Sequence, residues 1–110
     1  MGAPKYSVVA PVFHEAESLP EFHRRMRAVM DGLDGAAELL LVDDGSSDGS
    51  LEIMRALQAE DASVRVLSLS RNFGHQVAIT AGMDFARGEA VVVIDADLQD
   101  PPEVILDLVA

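Results

Sequence analysis

Residues 91–102 read VVVIDADLQDPP, an apolar run that passes directly into acidic residues and two prolines. The first four residues are β-branched and apolar, which predicts a strand covered on both faces. Asp95, Asp97 and Asp100 follow without any basic residue in the stretch. Carboxylates at the end of a buried strand indicate a polar ligand site, because parallel α/β sheets bind ligands beyond the carboxyl ends of their strands.

Similar apolar runs precede this one, and a helical pattern separates each run from the next. Strands are predicted at residues 6–12, 38–42, 64–69 and 90–94. Helices are predicted over an amphipathic stripe between residues 19 and 33, over residues 51–59 and 75–87, and from Pro101 onward. This alternation predicts an α/β fold with a parallel sheet, right-handed crossovers and helices on both faces.

The predicted helix starts carry capping residues. Ser18 and Glu21 have the spacing of a capping box before the first helix, and Asp100 is a candidate N-cap of the last. Asp48 or Ser47 is expected to cap the second helix. The chain ends about two turns into the fourth helix, which is shorter than ordinary helices. We therefore expect the sequence to be the first part of a longer protein.

The composition limits the classes of function. A chain of 110 residues, 49% of them hydrophobic, is one globular domain at most. Eight basic and nineteen acidic side chains give a net charge of −11, which argues against nucleic-acid binding unless a cation intervenes. The absence of cysteine excludes disulfides and fits a reducing compartment. No apolar run approaches the ~18 residues of a membrane span, so we expect a soluble, cytoplasmic domain.

Polar segments follow every predicted strand, and a parallel sheet would bring them to one edge. They are residues 11–15 (PVFHE), 43–49 (DDGSSDG), 70–76 (SRNFGHQ) and 95–100 (DADLQD). Asp43 is placed to accept hydrogen bonds from a base N–H or from sugar hydroxyls. Arg71 is a candidate contact for phosphate or base, although a loop arginine is commonly only solvated. His14 and His75 lie in these loops, and we expect neither to be catalytic.

Asp95 and Asp97 are two residues apart, so their side chains point the same way if the strand conformation continues. Two adjacent carboxylates repel each other unless they share a cation. Mg²⁺ or Mn²⁺ suits them, since these ions favour oxygen ligands and complete their shells with water and substrate phosphates. Gln99 offers a neutral oxygen two residues further on. The alternative is that Asp95 only ends a strand and Asp100 only caps a helix.

Four segments occur in the order and at the spacing of a known enzyme family: VVAPVFHEAESLP, LLLVDDGSSDGS, LSLSRNFGHQVAITAGMDFARG and VVVIDADLQDPPE. On these segments the chain resembles the family 2 inverting glycosyltransferases of the GT-A fold. It is most similar to their polyprenyl-phosphate branch, which includes dolichol- and undecaprenyl-phosphate sugar transferases. The resemblance implies a Rossmann-like, mostly parallel sheet. It also implies that residues 1–110 are the nucleotide-sugar-binding part of a glycosyltransferase domain, truncated at the C-terminus.

The resemblance also implies roles for individual residues. The base and ribose would be surrounded by Pro11, Phe13, Glu15 and Asp43. Asp95 would lie near the ribose and diphosphate and would share the metal with Asp97 and Gln99. The family usually has Tyr-Asn where this chain has Phe13-His14, which keeps a ring for stacking but lacks the hydroxyl and the amide. Catalytic residues of the acceptor side would lie outside this chain.

The implied function of the full-length protein is transfer of a sugar from a UDP- or GDP-sugar to a polyprenyl phosphate, with inversion and a divalent metal, at the cytoplasmic face of a membrane. Two alternatives stay open. The 110-residue chain could bind nucleotide without turnover, and it could self-associate through the flank left by an absent half. The second alternative is a phosphate-handling domain of receiver or phosphatase type, although the acidic motifs of those domains follow the first strand.

Overall fold

The computed structural model describes residues 4–109. Strands and helices alternate along this part of the chain. The strands are β1 (Tyr6–Val12), β2 (Ala37–Asp43), β3 (Val64–Ser68) and β4 (Ala90–Val93). The helices are α1 (Leu19–Asp31), α2 (Ser50–Glu60), α3 (His75–Phe85) and α4 (Val104–Leu108). None of the helices within residues 4–109 has the length and apolar character that a bilayer crossing requires.

The strands form one parallel sheet in the order β3-β2-β1-β4. The two central strands, β1 and β2, are rich in valine and leucine, and nearly every residue in them is buried. One face of the sheet packs on α1, α2 and α4, with Val8, Leu39 and Ile105 in the shared core. The other face packs on α3, where Val9 meets Ala78. The predicted α/β fold, with a parallel sheet and helices on both faces, is confirmed.

β4 is less covered than the sequence predicts. Val91 and Val93 expose 39% and 41% of their surfaces, so the prediction of a strand buried on both faces is wrong. The reason is that β4 lies at an edge of the described sheet, while α3 packs on β1 and β2. α3 itself exposes Val77, Met83 and Phe85. A run of β-branched residues indicates a pleated strand but not which neighbours will cover it.

Two helix starts also differ from the prediction. Ser18 precedes α1, but its hydroxyl makes no capping bond and instead donates to the Ala96 carbonyl oxygen at 2.8 Å. This bond ties the start of α1 to the segment after β4. α4 begins after the two prolines rather than at the first of them, and Asp100 does not cap it. Because a proline disfavours helical backbone in the residue before it, two consecutive prolines delay the helix.

The connection from α3 into β4 is held by one buried carboxylate. Glu38 of β2 accepts hydrogen bonds from Ser7 Oγ at 2.5 Å, from Arg65 Nη1 at 2.7 Å and from the Arg87 N–H at 2.7 Å. Burial acts to raise the pKa of Glu38, but these bonds outweigh it and hold the pKa below its ordinary value. The Gly88 N–H donates to Ser7 Oγ at 2.7 Å. The residues before β4 are thereby attached to β1 and β2, which sets the position of the acidic segment that follows.

The backbone around Gly88 leaves no room for a side chain. A Cβ there would lie 2.6 Å from the Ser7 nitrogen and 2.6 Å from the Tyr6 carbonyl carbon. We expect Gly88→Ala to lower the free energy of unfolding by about 1–3 kcal/mol, because the connection must move. Urea denaturation measures this change. Gly32→Ala is the matched control, since its Cβ would meet nothing closer than 3.5 Å. Equal stability of the two variants would contradict the prediction.

Candidate functional site

The loops that follow the four strands meet at the carboxyl edge of the sheet and enclose a cleft of about 320 Å³. The residues that line this cleft are Pro11, Val12, Phe13, Glu15, Asp44, Asn72, Gly74, His75, Asp95 and Asp97. Parallel pairing brings all four loops here, because every strand ends at the same edge. Three residues for which the sequence predicts a role in binding do not line the cleft: Asp43, Arg71 and Gln99.

The loop after β1 is held against the loop after β2. The His14 N–H donates to Ser46 Oγ at 3.0 Å, and the Glu15 N–H donates to Ser50 Oγ at 2.9 Å. Asp48 accepts the N–H and the hydroxyl of Ser50 at 3.1 and 2.6 Å, while a glycine occupies the N-cap position of α2. Asp48 therefore supports the first turn of α2 without being its N-cap residue. Through these bonds, Ser46, Asp48 and Ser50 hold the two loops together.

Phe13 lines the cleft and lies against the neighbouring His14. Phe13 is 42% exposed, and its ring stacks on the His14 ring with centroids 3.9 Å apart. His14 has a left-handed backbone conformation with φ of 55°. Asparagine and histidine enter this region more readily than most residues. The backbone thus explains why histidine can stand where the resembling family has asparagine.

The left-handed conformation predicts which substitutions residue 14 tolerates. We expect His14→Val to lower the free energy of unfolding by about 1–2 kcal/mol, because a β-branched side chain is crowded at positive φ, whereas His14→Asn stays close to wild type. Thermal or urea denaturation measures both. Glu17→Val is a control in the same loop, at an exposed position outside the left-handed region. A His14→Val protein as stable as the Asn variant would refute the prediction.

The two aspartates after β2 have different partners. Asp43 is 2% exposed, and its Oδ1 accepts the Ser46 N–H at 3.2 Å. Asp44 is 3% exposed yet lines the cleft, and its two oxygens accept the N–H groups of Phe73 and Gly74 at 2.8 and 3.1 Å. Asp44 therefore joins the loop after β2 to the start of α3. The sequence pointed to Asp43 and not to Asp44, although the doubled aspartate was a signal for both.

Arg71, in the loop after β3, and His75, at the start of α3, lie in different surroundings. Arg71 is exposed, and its guanidinium lies over the Phe73 ring, 4.6 Å from the centroid. This cation–π contact holds the side chain of Arg71, for which the sequence predicts a contact with phosphate or base. His75, the first residue of α3, lines the cleft, and its Nε2 lies 2.7 Å from Asp95 Oδ1. The sequence does not reveal this contact, because nothing in the chain order indicates that residues 20 positions apart meet.

The loop after β4 brings Asp95 and Asp97 to the same cleft. Asp97 Oδ1 accepts the Gln99 N–H at 3.1 Å, which closes a turn, whereas Gln99 itself is exposed. Leu98, between them, has a left-handed backbone with φ of 65° and packs against the main core. Leucine rarely adopts this conformation, so burial of its side chain must offset the strain. The core thereby holds the acidic loop in its turn.

Negative charge is concentrated in the cleft. Partial burial raises the pKa of Glu15; a hydrogen bond from Ser18 Oγ at 3.3 Å opposes this rise, and the charges of Asp97, Asp95 and Asp48 add to it. Glu15 and Asp97 also line an adjoining hollow of about 400 Å³. Because these carboxylates lie close together without a lysine or arginine in the cleft lining, the cleft attracts cations.

The donor set allows a metal ion that is completed by its ligand. Within residues 4–109, no group of three or more His, Cys, Asp or Glu side chains is arranged to hold an ion by itself. Asp95 and Asp97 nevertheless present carboxylate oxygens to the same space. Mg²⁺ is commonly bound through one or two carboxylates together with water and substrate phosphates. The residues present therefore fit an ion that arrives with a diphosphate, not one held in a closed protein cage.

A serine–histidine pair in the loops after β1 and β2 does not form a hydrolase site. Residues 45–49, GSSDG, have G-x-S-x-G spacing, and His14 Nε2 lies 3.2 Å from Ser47 Oγ. Nucleophile activation also needs a third group that orients the base. Among the side chains of residues 4–109, the His14 ring forms a hydrogen bond with Ser47 alone. This pair therefore gives no support to a hydrolase reading.

Comparison with known sequences points to one family. The model of glycosyl transferase family 2 matches residues 7–110. The uncharacterized glycosyltransferase YkcC of Bacillus subtilis (strain 168) is 53% identical over 105 residues, covering 96% of this chain and 32% of that protein. The undecaprenyl-phosphate 4-deoxy-4-formamido-L-arabinose transferase of Salmonella paratyphi A is 50% identical over 107 residues, covering 96% of this chain and 33% of that protein. The chain spans about a third of the length of these relatives.

Solved structures share the fold. S. aureus TarS 1-349 in complex with UDP superposes with a TM-score of 0.77 at 26% identity, covering 96% of this chain and 31% of that chain. The mannosyltransferase PcManGT from Pyrobaculum calidifontis, in complex with GDP-Man and Mn²⁺, has a TM-score of 0.76 at 23% identity, covering 91% of this chain and 34% of that chain. These likenesses confirm the predicted GT-A fold class. With the family match extending over nearly its whole length, the chain belongs to glycosyl transferase family 2.

Proposed function

We propose that the full-length protein transfers a sugar from a UDP- or GDP-sugar to a polyprenyl phosphate, with inversion at the sugar carbon. One observation carries the proposal. Asp95 and Asp97 face a cleft at the carboxyl edge of the sheet, in a chain that is 50% identical to an undecaprenyl-phosphate 4-deoxy-4-formamido-L-arabinose transferase. In this proposal residues 1–110 form the part that binds the nucleotide sugar.

The donor nucleotide occupies the cleft in this proposal. The base stacks on the exposed ring of Phe13 beside Pro11, and Glu15 accepts a hydrogen bond from the base or ribose. The same role for Asp43, which is buried and does not line the cleft, stays a prediction. Support comes from the complexes of proteins with the same fold, TarS with UDP and PcManGT with GDP-Man, which leave the choice of base open. The predicted contact of Arg71 with phosphate or base requires the side chain to leave the Phe73 ring, and it stays a prediction.

Asp95 and Asp97 would hold Mg²⁺ or Mn²⁺, with the exposed amide of Gln99 as an additional oxygen donor. When bound, the ion supplies positive charge to the leaving diphosphate. The composition of the cleft supports this role, because its lining residues include no lysine or arginine that could neutralise a diphosphate. The Mn²⁺ in the PcManGT complex is consistent with such a metal. The chain's own contribution is to keep two carboxylates on one side of the bound nucleotide.

The acceptor determines how much further catalysis is needed. A phosphate monoester has a second pKa of about 6, so a polyprenyl phosphate is largely ionised at neutral pH. Such a nucleophile needs little help from a general base, and positioning and charge stabilisation can carry the reaction. The acceptor-side residues would lie outside residues 1–110. Transfer at the cytoplasmic face of a membrane stays a prediction.

The metal role of Asp97 has a direct test. We expect Asp97→Asn to weaken Mn²⁺-supported binding of UDP or GDP at least about tenfold, because the variant loses a charged oxygen ligand. Isothermal titration with and without Mn²⁺ measures the effect. Asp100→Asn is the control, since it removes the same charge at an exposed position outside the cleft. Unchanged binding by the Asp97 variant would remove this residue from the metal role.

A second candidate function concerns the 110 residues alone. The chain spans about a third of its relatives, which favours a unit that binds nucleotide without transferring sugar. The family match gives no support to a receiver or phosphatase domain. Self-association of the isolated chain through the flank left by an absent half stays a prediction.

Turnover separates the two candidates. We expect the full-length protein to transfer labelled sugar from its nucleotide donor to a polyprenyl phosphate in detergent, and residues 1–110 to bind the same nucleotide without transfer. Thin-layer chromatography of the lipid product measures transfer, and the anomeric coupling in its NMR spectrum reports inversion. Full-length Asp97→Asn is the inactive control. Transfer by residues 1–110 at the full-length rate would exclude the second candidate.

A further inference from the structure

We propose that His75 is a positioning residue that fixes the carboxylate of Asp95 for the metal-bound diphosphate of the donor. The inference rests on the proposed function, since it concerns the same cleft. It assigns a role to a histidine that was expected from the sequence not to be catalytic. Two features carry it: the contact between His75 and Asp95, and the way in which the start of α3 is held.

His75 anchors one oxygen of Asp95. Its Nε2 lies 2.7 Å from Asp95 Oδ1, and because an ionised carboxylate can only accept, the imidazole nitrogen is the donor. Within residues 4–109, no hydrogen bond to Asp95 Oδ2 is formed by a side chain. One oxygen is thus held by the fold, and the other remains available to a ligand in the cleft.

Asp44 fixes the backbone from which His75 projects. It is 3% exposed and accepts the N–H groups of Phe73 and Gly74. Gly74 has φ of 105°, a conformation that favours glycine, and its carbonyl accepts the Ala78 N–H as α3 begins. His75 therefore leaves the backbone at a fixed point. A continuous series of contacts runs from β2, through the start of α3, to the loop after β4.

The negative charge of the cleft explains what the contact between His75 and Asp95 would do. Among the lining residues four are carboxylates, and His75 is the one side chain that can carry positive charge. Asp95 and Asp97 repel each other, and the Asp95 side chain is 44% exposed, so without a partner it can turn away into solvent. A donor on Oδ1 holds the carboxylate toward the cleft. Hydrogen-bond partners of metal-binding carboxylates have this orienting effect in general.

Fold stability does not account for the contact. The side chains of His75 and Asp95 are 61% and 44% exposed, and exposed ion pairs contribute little to stability. Replacing His75 should therefore leave the melting temperature near that of the wild type. This separates a positioning role from a merely structural one.

The experiment compares two substitutions of His75 in the full-length protein. His75→Leu removes the donor, whereas His75→Gln keeps an amide N–H that can reach a similar position. Gln76→Leu is the matched control, because it adds the same apolar side chain at the next, exposed position of α3, outside the cleft lining. Electron paramagnetic resonance of free Mn²⁺ measures metal affinity in the presence of UDP or GDP. Calorimetry in EDTA measures nucleotide affinity without metal.

We expect His75→Leu to weaken Mn²⁺ binding in the presence of nucleotide by about 10–100-fold. His75→Gln and Gln76→Leu should stay close to the wild type. In EDTA, all four proteins should bind nucleotide equally and melt at the same temperature. In the transfer assay, the loss in His75→Leu should be recovered in part by raising the Mn²⁺ concentration.

Several outcomes would overturn the inference. Wild-type Mn²⁺ affinity in His75→Leu, or an equal loss in His75→Gln, would exclude positioning through a hydrogen bond. Weaker nucleotide binding in EDTA would instead make His75 a direct nucleotide contact, and a lower melting temperature would make its role structural. In these cases the proposed function stands. If the wild type itself shows no Mn²⁺-dependent nucleotide binding, the proposed function fails, and this inference fails with it.

Discussion

Parallel pairing of β1 with a strand on each side is the constraint on which the rest of the structure depends. β1 pairs with β2 from Tyr6 opposite Ala37 to Val12 opposite Asp43, and with β4 from Tyr6 opposite Ala90. In this register every polar loop leaves the sheet at the same edge. The burial of apolar strands therefore assembles the cleft, although the acidic loops themselves repel one another in a chain with a net charge of −11.

The acidic residues at this edge fall into two groups according to their partners. Asp43, Asp44 and Asp48 accept backbone N–H groups of the loops, which would otherwise lack partners away from regular secondary structure. Asp95 and Asp97 line the cleft, and although Asp97 also accepts the Gln99 N–H, no lysine or arginine of the lining balances the two carboxylates. The first group explains how the loops are held, and the second is the reason to propose a cation. Composition alone cannot separate the two groups, because both are aspartates that follow strands.

Backbone strain is found on the same side of the molecule. His14 and Leu98 are the two non-glycine residues with positive φ within residues 4–109, and each is adjacent to a residue of the cleft lining. Such conformations persist where the surroundings determine them. Ser46 holds the His14 backbone, and the core holds the Leu98 side chain. The opposite end of the sheet is held by the Glu38 network. The Glu38 contacts at one end of the sheet and the two strained loops at the other are consistent with a site whose shape is set before its ligand binds.

Local pattern was enough to determine the elements and the family. The apolar runs defined four strands, with β1 at the predicted residues 6–12, and the order of four motifs identified the glycosyltransferase family. Only the tertiary structure decided that β4 is half exposed, that Ser18 binds the segment after β4, and that Asp44 and His75 belong to the cleft. These contacts join residues 78, 30 and 20 positions apart. Periodicity and turn chemistry reflect forces between near neighbours in the chain, whereas burial and hydrogen bonding at the cleft depend on which distant segments the sheet brings together.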